Sequence, residues 1–163
     1  MTLWRDIGQH SPILMHLLGF LLLSIYKDAF FVYYIIASIS FRTVVAPGLK
    51  KLFQQVLPED SALVLRPDPT ASCGFGKEGK FHFPSGHSET VSASVILLLC
   101  WVASQKSITP STKLVWYVLG VFFIFFVDYT RLEKKCHNIE QVSAGTLLGA
   151  LIGMLSFKMW LLR

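Results

Sequence analysis

Five long apolar segments, set between polar connections, dominate this 163-residue chain. They run over roughly Pro12–Tyr26, Phe30–Pro47, His87–Ser104, Lys113–Tyr129 and Ile139–Leu162. A helix needs about 20 apolar residues, with a range of about 17–25, to cross a bilayer. Segments two to five loosely meet that length; the first is short unless it extends back to His10 or tilts. Such runs exceed the usual core helix of a soluble protein. Composition points the same way. Hydrophobic residues make up 53% and charged residues 15%, against about 25% charged in an average soluble domain. A compact soluble fold of this length has too little interior for that much apolar surface. Thirteen Phe, four Trp and five Tyr argue against disorder and suit a lipid environment with aromatic residues near its boundaries. The expected fold is all-α. It is a polytopic bundle of about five transmembrane helices, a single domain over residues 1–163, with a polar loop between spans two and three. No small-residue cleavage pattern follows the first apolar run, so that run is expected to remain as a membrane anchor.

The net charge is +5, but the basic residues are spread between apolar runs. A nucleic-acid surface would cluster them, so anionic headgroups or a phosphate substrate fit better. Cys100 lies in an apolar run as a packing residue. Cys73 and Cys136 lie in polar connections, and spacing alone leaves their pairing open. The stretch Leu57–Pro84 carries Pro58, Pro67, Pro69 and Pro84 with Gly74, Gly76 and Gly79, which marks irregular structure. A loop this long is expected to line or cover a site. Gly145, Gly149 and Gly153 recur every four residues on one helix face, a pattern that serves close packing between spans or a dimer contact.

Three polar clusters carry the chemistry. The first is Arg66-Pro67, preceded at a distance by Lys50-Lys51. The second is Pro84-Ser85-Gly86-His87-Ser88. The third is Thr130-Arg131, then His137, with Gln141 four positions later. If every segment spans once, all three fall on one membrane face. Arginine matches phosphate oxygens with a two-pronged fork. Pro84-Ser85-Gly86 leads straight into an apolar helix, whose first N–H groups and dipole favour an anion. Gly86 lets the backbone approach the phosphate, and Ser85 adds a hydroxyl. Gln141, four residues after His137, is placed to accept the His137 Nδ1 proton and leave Nε2 free to attack. His82 lies close to the site in sequence and reads as a loop residue before a catalytic one, and His10 and His16 read as interfacial or packing residues. Lys134 and Lys135 read either as a solvated pair or as headgroup contacts. Glu89 and Asp128, near span ends, read as solvated at the interface.

These motifs resemble the type-2 phosphatidic-acid phosphatase superfamily. Its members include lipid phosphate phosphatases, polyprenyl-diphosphate phosphatases and vanadium haloperoxidases. Its signature is a lysine separated by six residues from Arg-Pro, then Pro-Ser-Gly-His, then Ser-Arg, five residues, His, three residues and Asp. Pro84-Ser85-Gly86-His87 matches in full, Arg131 and His137 match in spacing, and Arg66-Pro67 matches the end of the first part. The position seven before Arg66 is Glu59, so the lysine falls to Lys50 or Lys51. Thr130 stands for the serine and Gln141 for the aspartate; Glu133 and Glu140 lie nearby as carboxylates.

The resemblance implies an integral membrane phosphatase acting on a lipid phosphate or diphosphate. His137 attacks phosphorus and forms a phosphohistidine, while His87 protonates the leaving oxygen and then activates water. Arg66, Arg131, Lys50, Ser85 and Gly86 hold the phosphate oxygens. No metal or cofactor is expected, since no HExxH, CxxC or aspartate cluster is present. The expected partners are the lipid substrate and membrane lipids, with no nucleic acid. The Gln141 departure supports an alternative, a catalytically silent binder of phosphorylated lipids. A channel or carrier fits less well, because the charges gather at one face and not at mid-bilayer. Lysine and arginine number ten on the motif face and five on the other, which by the positive-inside rule places the motifs in the cytoplasm. Removing Lys50, Arg66 and Arg131 leaves seven to five, which decides little.

Overall fold

A computed structural model describes residues 2–58, 61–68, 70–71, 73 and 81–163, with side chains from residue 6 onward. Glu59, Pro69, Gly74, Gly76, Lys77, Gly79 and Lys80 lie outside the described residues. The described chain is all-helical: α1 (Thr2–Tyr26), α2 (Ala29–Ser40), a π-helical turn (Phe41–Val45), α3 (Ala46–Gln54), α4 (Gly86–Ser104), α5 (Pro110–Glu133) and α6 (Ile139–Leu161). Five helical stretches are long and apolar enough to cross a membrane, the second being Ala29–Gln54 as one piece. The protein is a multi-pass integral membrane protein.

Two boundaries differ from the apolar pattern. The first helix begins at Thr2 and runs through Pro12. Pro12 has no N–H to offer the Gly8 carbonyl, and Ser11 Oγ donates to that carbonyl instead at 2.8 Å. The second span continues past Pro47 to Gln54. Pro47 removes one backbone donor, and the preceding turn widens to π geometry, with the Ala46 N–H bonded to the Phe41 carbonyl. Helices end where the sequence supplies caps. Lys27 takes φ 52° after α1, and Asp28 then caps α2 by accepting the Phe30 N–H at 2.8 Å.

Helix α4 is the central post. Its span is 78% buried within the protein, against 11% for the α5 span. A helix enclosed on all sides inside a bilayer needs small side chains, and α4 supplies Ser88, Ser92, Ala93 and Ser94, all buried. Helix α6 lies parallel against it. A Cβ on Gly145 would come within 2.5 Å of the Ser85 carbonyl, one on Gly149 would overlap the Glu89 carbonyl, and one on Gly153 would reach 2.5 Å from the Ala93 carbonyl. The glycine stripe is therefore an internal seam, not an exposed face. Ser92 Oγ also donates to the Thr146 carbonyl across it at 2.8 Å. At the end away from the motifs, Phe30, Phe31 and Trp101 pack with ring centroids 4.8–5.4 Å apart, joined by Trp160 of α6 at 5.4 Å from Phe30.

Candidate active site

At the motif end of α4, a pocket of about 350 Å³ is lined by Arg42, Thr43, Ala46, Pro47, Lys50, His82, Gly86, His87, Arg131 and His137. Residues far apart in sequence meet there for local reasons. The Arg42–Lys50 stretch comes from the π turn and α3. Gly86 and His87 open α4, whose N-cap is Ser85. Arg131 occupies the last turn of α5. His137 sits in the short connection before α6, held where its own N–H and that of Cys136 return to the Arg131 carbonyl at 3.4 and 3.1 Å.

Gln141 orders His137. Asn138 and Gln141 form a reciprocal capping box at the start of α6. Gln141 Nε2 donates to the carbonyls of Leu63 at 2.8 Å and Leu65 at 2.9 Å. Two carbonyls fix which end of the amide carries hydrogen, so Oε1 is the acceptor facing His137 Nδ1 at 2.9 Å. Nδ1 therefore holds the proton and Nε2 holds the lone pair. Burial, reinforced by the Arg131 charge, pushes the His137 pKa down to about 3, so the ring is neutral near pH 7. Exchanging Gln141 for glutamate is expected to lower stability by about 2 kcal/mol or more, because an oxygen replaces the donor facing two buried carbonyls. Thermal unfolding in detergent reads this; an unchanged midpoint would sever the link between Gln141 and the loop. Glu133 and Glu140 are exposed.

His87 is oriented from α1. Its Nε2 lies 3.1 Å from the Gln9 carbonyl. A carbonyl only accepts, so Nε2 donates and Nδ1 is the nitrogen able to exchange a proton. The side chain of Gln9 is held in turn by Lys134 Nζ, 3.0 Å from Oε1. Arg131 is 1% exposed. Its Nη2 donates to the Cys73 carbonyl at 2.7 Å, while Nε and Nη1 have no hydrogen-bond partner among the described residues. Cys73 and Cys136 are disulfide-bonded, which ties the loop carrying that carbonyl to the residue beside His137.

The other residues singled out in the sequence take distinct places. Lys50 lines the pocket and Lys51 is exposed. Ser85 is fully buried, and its Oγ accepts from the Ser88 hydroxyl at 3.0 Å and the Ser88 N–H at 3.5 Å, so it serves as a cap and does not line the pocket. Arg66 does not line the pocket either. Its Nη1 donates to the Ala71 carbonyl at 2.8 Å, and Nη2 approaches His82 Nδ1 at 3.5 Å.

The family model described as the PAP2 superfamily matches residues 10–163. The chain belongs to that superfamily. A crystal structure of a transmembrane PAP2-type phosphatidylglycerolphosphate phosphatase from Bacillus subtilis shares the fold. The TM-score is 0.71 at 20% identity, over 98% of this chain and 74% of that one. No curated protein matches the chain significantly. Within this PAP2 protein, Arg42 and the Gln9 carbonyl stand outside the sequence reading, and His82 was placed near the site only as a loop residue. Arg42 had a signal, a lone charge inside an apolar run. His82, read as a loop residue, lines the pocket with its ring 6.0 Å from that of His137. The Gln9 carbonyl carried no sequence signal. Glu89 and Asp128 also depart from the solvated reading. Glu89 is fully buried, and Asp128 Oδ2 accepts from Thr146 Oγ1 at 2.6 Å inside the bundle.

Proposed function

We propose that this PAP2 protein is a membrane phosphatase that hydrolyses a lipid phosphate or diphosphate through a phosphohistidine. The observation that carries the reading is the buried Arg131 guanidinium at the wall of a pocket shared by His87 and His137, with two donors left for an anion. A buried charge with donors left over is costly, and phosphate oxygens are the acceptors that fit its fork.

In this reading the His137 Nε2 lone pair attacks phosphorus in line. The bond from phosphorus to the leaving oxygen breaks, and that oxygen takes the Nδ1 proton of a His87 protonated on both nitrogens, the form that the bound phosphate's negative charge favours. Water then gives a proton back to His87 and attacks phosphorus. The P–N bond breaks, its electrons return to Nε2, and inorganic phosphate leaves. Arg131, Lys50 and the first N–H groups of α4 hold the equatorial oxygens, with Arg66 supporting the wall through His82. These cations supply the charge stabilisation, so chelators are expected to leave the reaction intact. The site lies at the end of the bundle, where a lipid presents its headgroup while its tail stays among the helices. The Cys73–Cys136 bridge on the same face favours an oxidising compartment over the cytoplasm suggested by charge counting.

The test is phosphate release by detergent-purified protein in EDTA. The panel is phosphatidate, a polyprenyl diphosphate, a sphingoid phosphate and a water-soluble ester. Release from at least one lipid is expected. Silence across the panel from folded protein that still binds those lipids would replace the phosphatase with a binder.

A further inference from the structure

We infer that Arg42 holds the charge on the leaving-group side of the pocket and so selects lipid diphosphates over lipid monophosphates. This rests on the phosphatase reading and adds a substrate class to it.

The pocket has two storeys. The span Ala29–Gln54 enters at the end away from the motifs and finishes at the motif end. Arg42 precedes Lys50 by eight residues, about 12 Å of helix rise, so Lys50 enters from the aqueous end and Arg42 from the bilayer end. The neighbours divide in the same way. His137 lies within electrostatic reach of Arg131, Lys50 and His82. His87 lies within reach of Arg131, Arg42 and His137. Arg42 Nη1 stands 3.3 Å from where a Gly86 Cβ would be, over the first turn of α4. Arg131 serves both storeys; Lys50 belongs to the nucleophile and Arg42 to the proton donor.

A lipid lies along this axis with its tail towards the bilayer. When His137 attacks the outermost phosphorus, the bond to the inward oxygen breaks and its electron pair stays on that oxygen. In a monoester the product is an alcohol, which takes a proton from His87 and gains little from a second cation. In a diphosphate the product is a lipid monophosphate, whose negative charge appears between His87 and Arg42. A fixed guanidinium there stabilises that charge as it develops. The acid that could instead claim Arg42 is Glu89. It lies within electrostatic reach, but its Oε2 accepts from Thr90 Oγ1 at 3.1 Å and its Oε1 has no hydrogen-bond partner among the described residues.

The experiment compares prenyl diphosphate and prenyl monophosphate of one chain length, in wild type, Arg42→Gln, Arg42→Lys and the exposed control Lys51→Gln. In Arg42→Gln, kcat/KM on the diphosphate is expected to fall about 30-fold, the scale of one charge-assisted hydrogen bond, and on the monophosphate about 3-fold. Arg42→Lys recovers part of the diphosphate rate. Equal losses on both substrates, or no loss, would overturn the assignment. So would recovery on both substrates when Glu89→Gln is added to Arg42→Gln, since Arg42 would then only balance Glu89. A second measurement needs no turnover: displacement binding of a prenyl methylenediphosphonate against the matching prenyl phosphonate. Wild type is expected to favour the diphosphonate and Arg42→Gln to lose that preference; a preference for the phosphonate in wild type would refute the proposal. Preference intact with no phosphate release from any substrate would remove the phosphatase and leave Arg42 as the second-phosphate ligand.

Discussion

His137→Ala is expected to lower phosphate release by at least about 10⁴-fold while the protein stays folded. The two halves of that expectation have separate causes. The rate falls because the lone pair on Nε2 is gone, and no other described ring nitrogen shares its setting of a fixed Nδ1 proton and a neutral ring. The fold survives because Gln141 keeps its other partners. Its Oε1 still accepts the Asn138 N–H at 3.3 Å, and its Nε2 still donates to Leu63 and Leu65. Activity and thermal midpoint measured on the same preparation check this, together with trapping of an acid-labile phosphoprotein from labelled substrate. The label should appear in wild type and vanish in the variant. Residual activity above about 1% of wild type would pass the attacking role to another group, with His82 the first to examine. The absolute rate of the wild type also carries information. A neutral amide orients the ring without stabilising a positive imidazole, and in serine proteases exchanging the orienting aspartate for asparagine costs about 10⁴ in rate. Gln141→Asp does not simply restore a missing charge here, because the shorter side chain abandons the two loop carbonyls that the amide holds.

Gly149→Leu is expected to prevent assembly of the bundle, and Gly149→Ala to cost about 3 kcal/mol. The seam between α4 and α6 brings helix backbone to helix backbone, and a Cβ at this position would overlap the Glu89 carbonyl, with the Ser92 side chain 2.9 Å away and the Ala93 backbone nitrogen 3.0 Å away. Two of those three neighbours are backbone atoms that cannot rotate aside. In a bilayer no hydrophobic drive holds the helices together, so lost contact is not recovered elsewhere. The consequence reaches the site, because α4 carries Gly86 and His87 while α6 begins beside His137. Gly48→Ala is the control. No described atom lies within 4 Å of a Cβ there, and on helix propensity that change is expected to stabilise slightly. Size-exclusion profiles and thermal unfolding in detergent distinguish the outcomes. A Gly149→Leu protein that runs as wild type would mean the seam is looser than its contacts indicate.

Much of this was readable before any coordinates. Span number follows from apolar run length, and parity alone brings the three clusters to one face. His87, Arg131 and His137, singled out for their short local spacing, line one pocket. What stayed hidden was non-local or ambiguous. The first helix reaches back to Thr2 because a helix has no reason to end where the lipid does, and apolar pattern marks only the immersed part. Pro47 looked like a stop, but a widened turn carried the helix past it. Ser85 and Arg66 read as phosphate ligands, while in the structure one hydroxyl caps a helix and one guanidinium approaches His82. Buried Glu89 looked solvated because it stands near a span end, and it is the packing of other helices around α4 that encloses it.

One feature of the site bears on how such a chain varies. The groups that aim its key side chains are carbonyl oxygens: Gln9 for His87, Leu63 and Leu65 for Gln141, Cys73 for Arg131. Every amino acid brings a carbonyl, so the identities of the side chains at 63 and 65 are free to drift without misaligning the Gln141 amide. Loop length is not free in the same way, because one residue gained or lost between 61 and 66 would move both carbonyls off the Gln141 amide. Tolerance to substitution combined with intolerance to insertion is the mutational signature this architecture imposes on its loop.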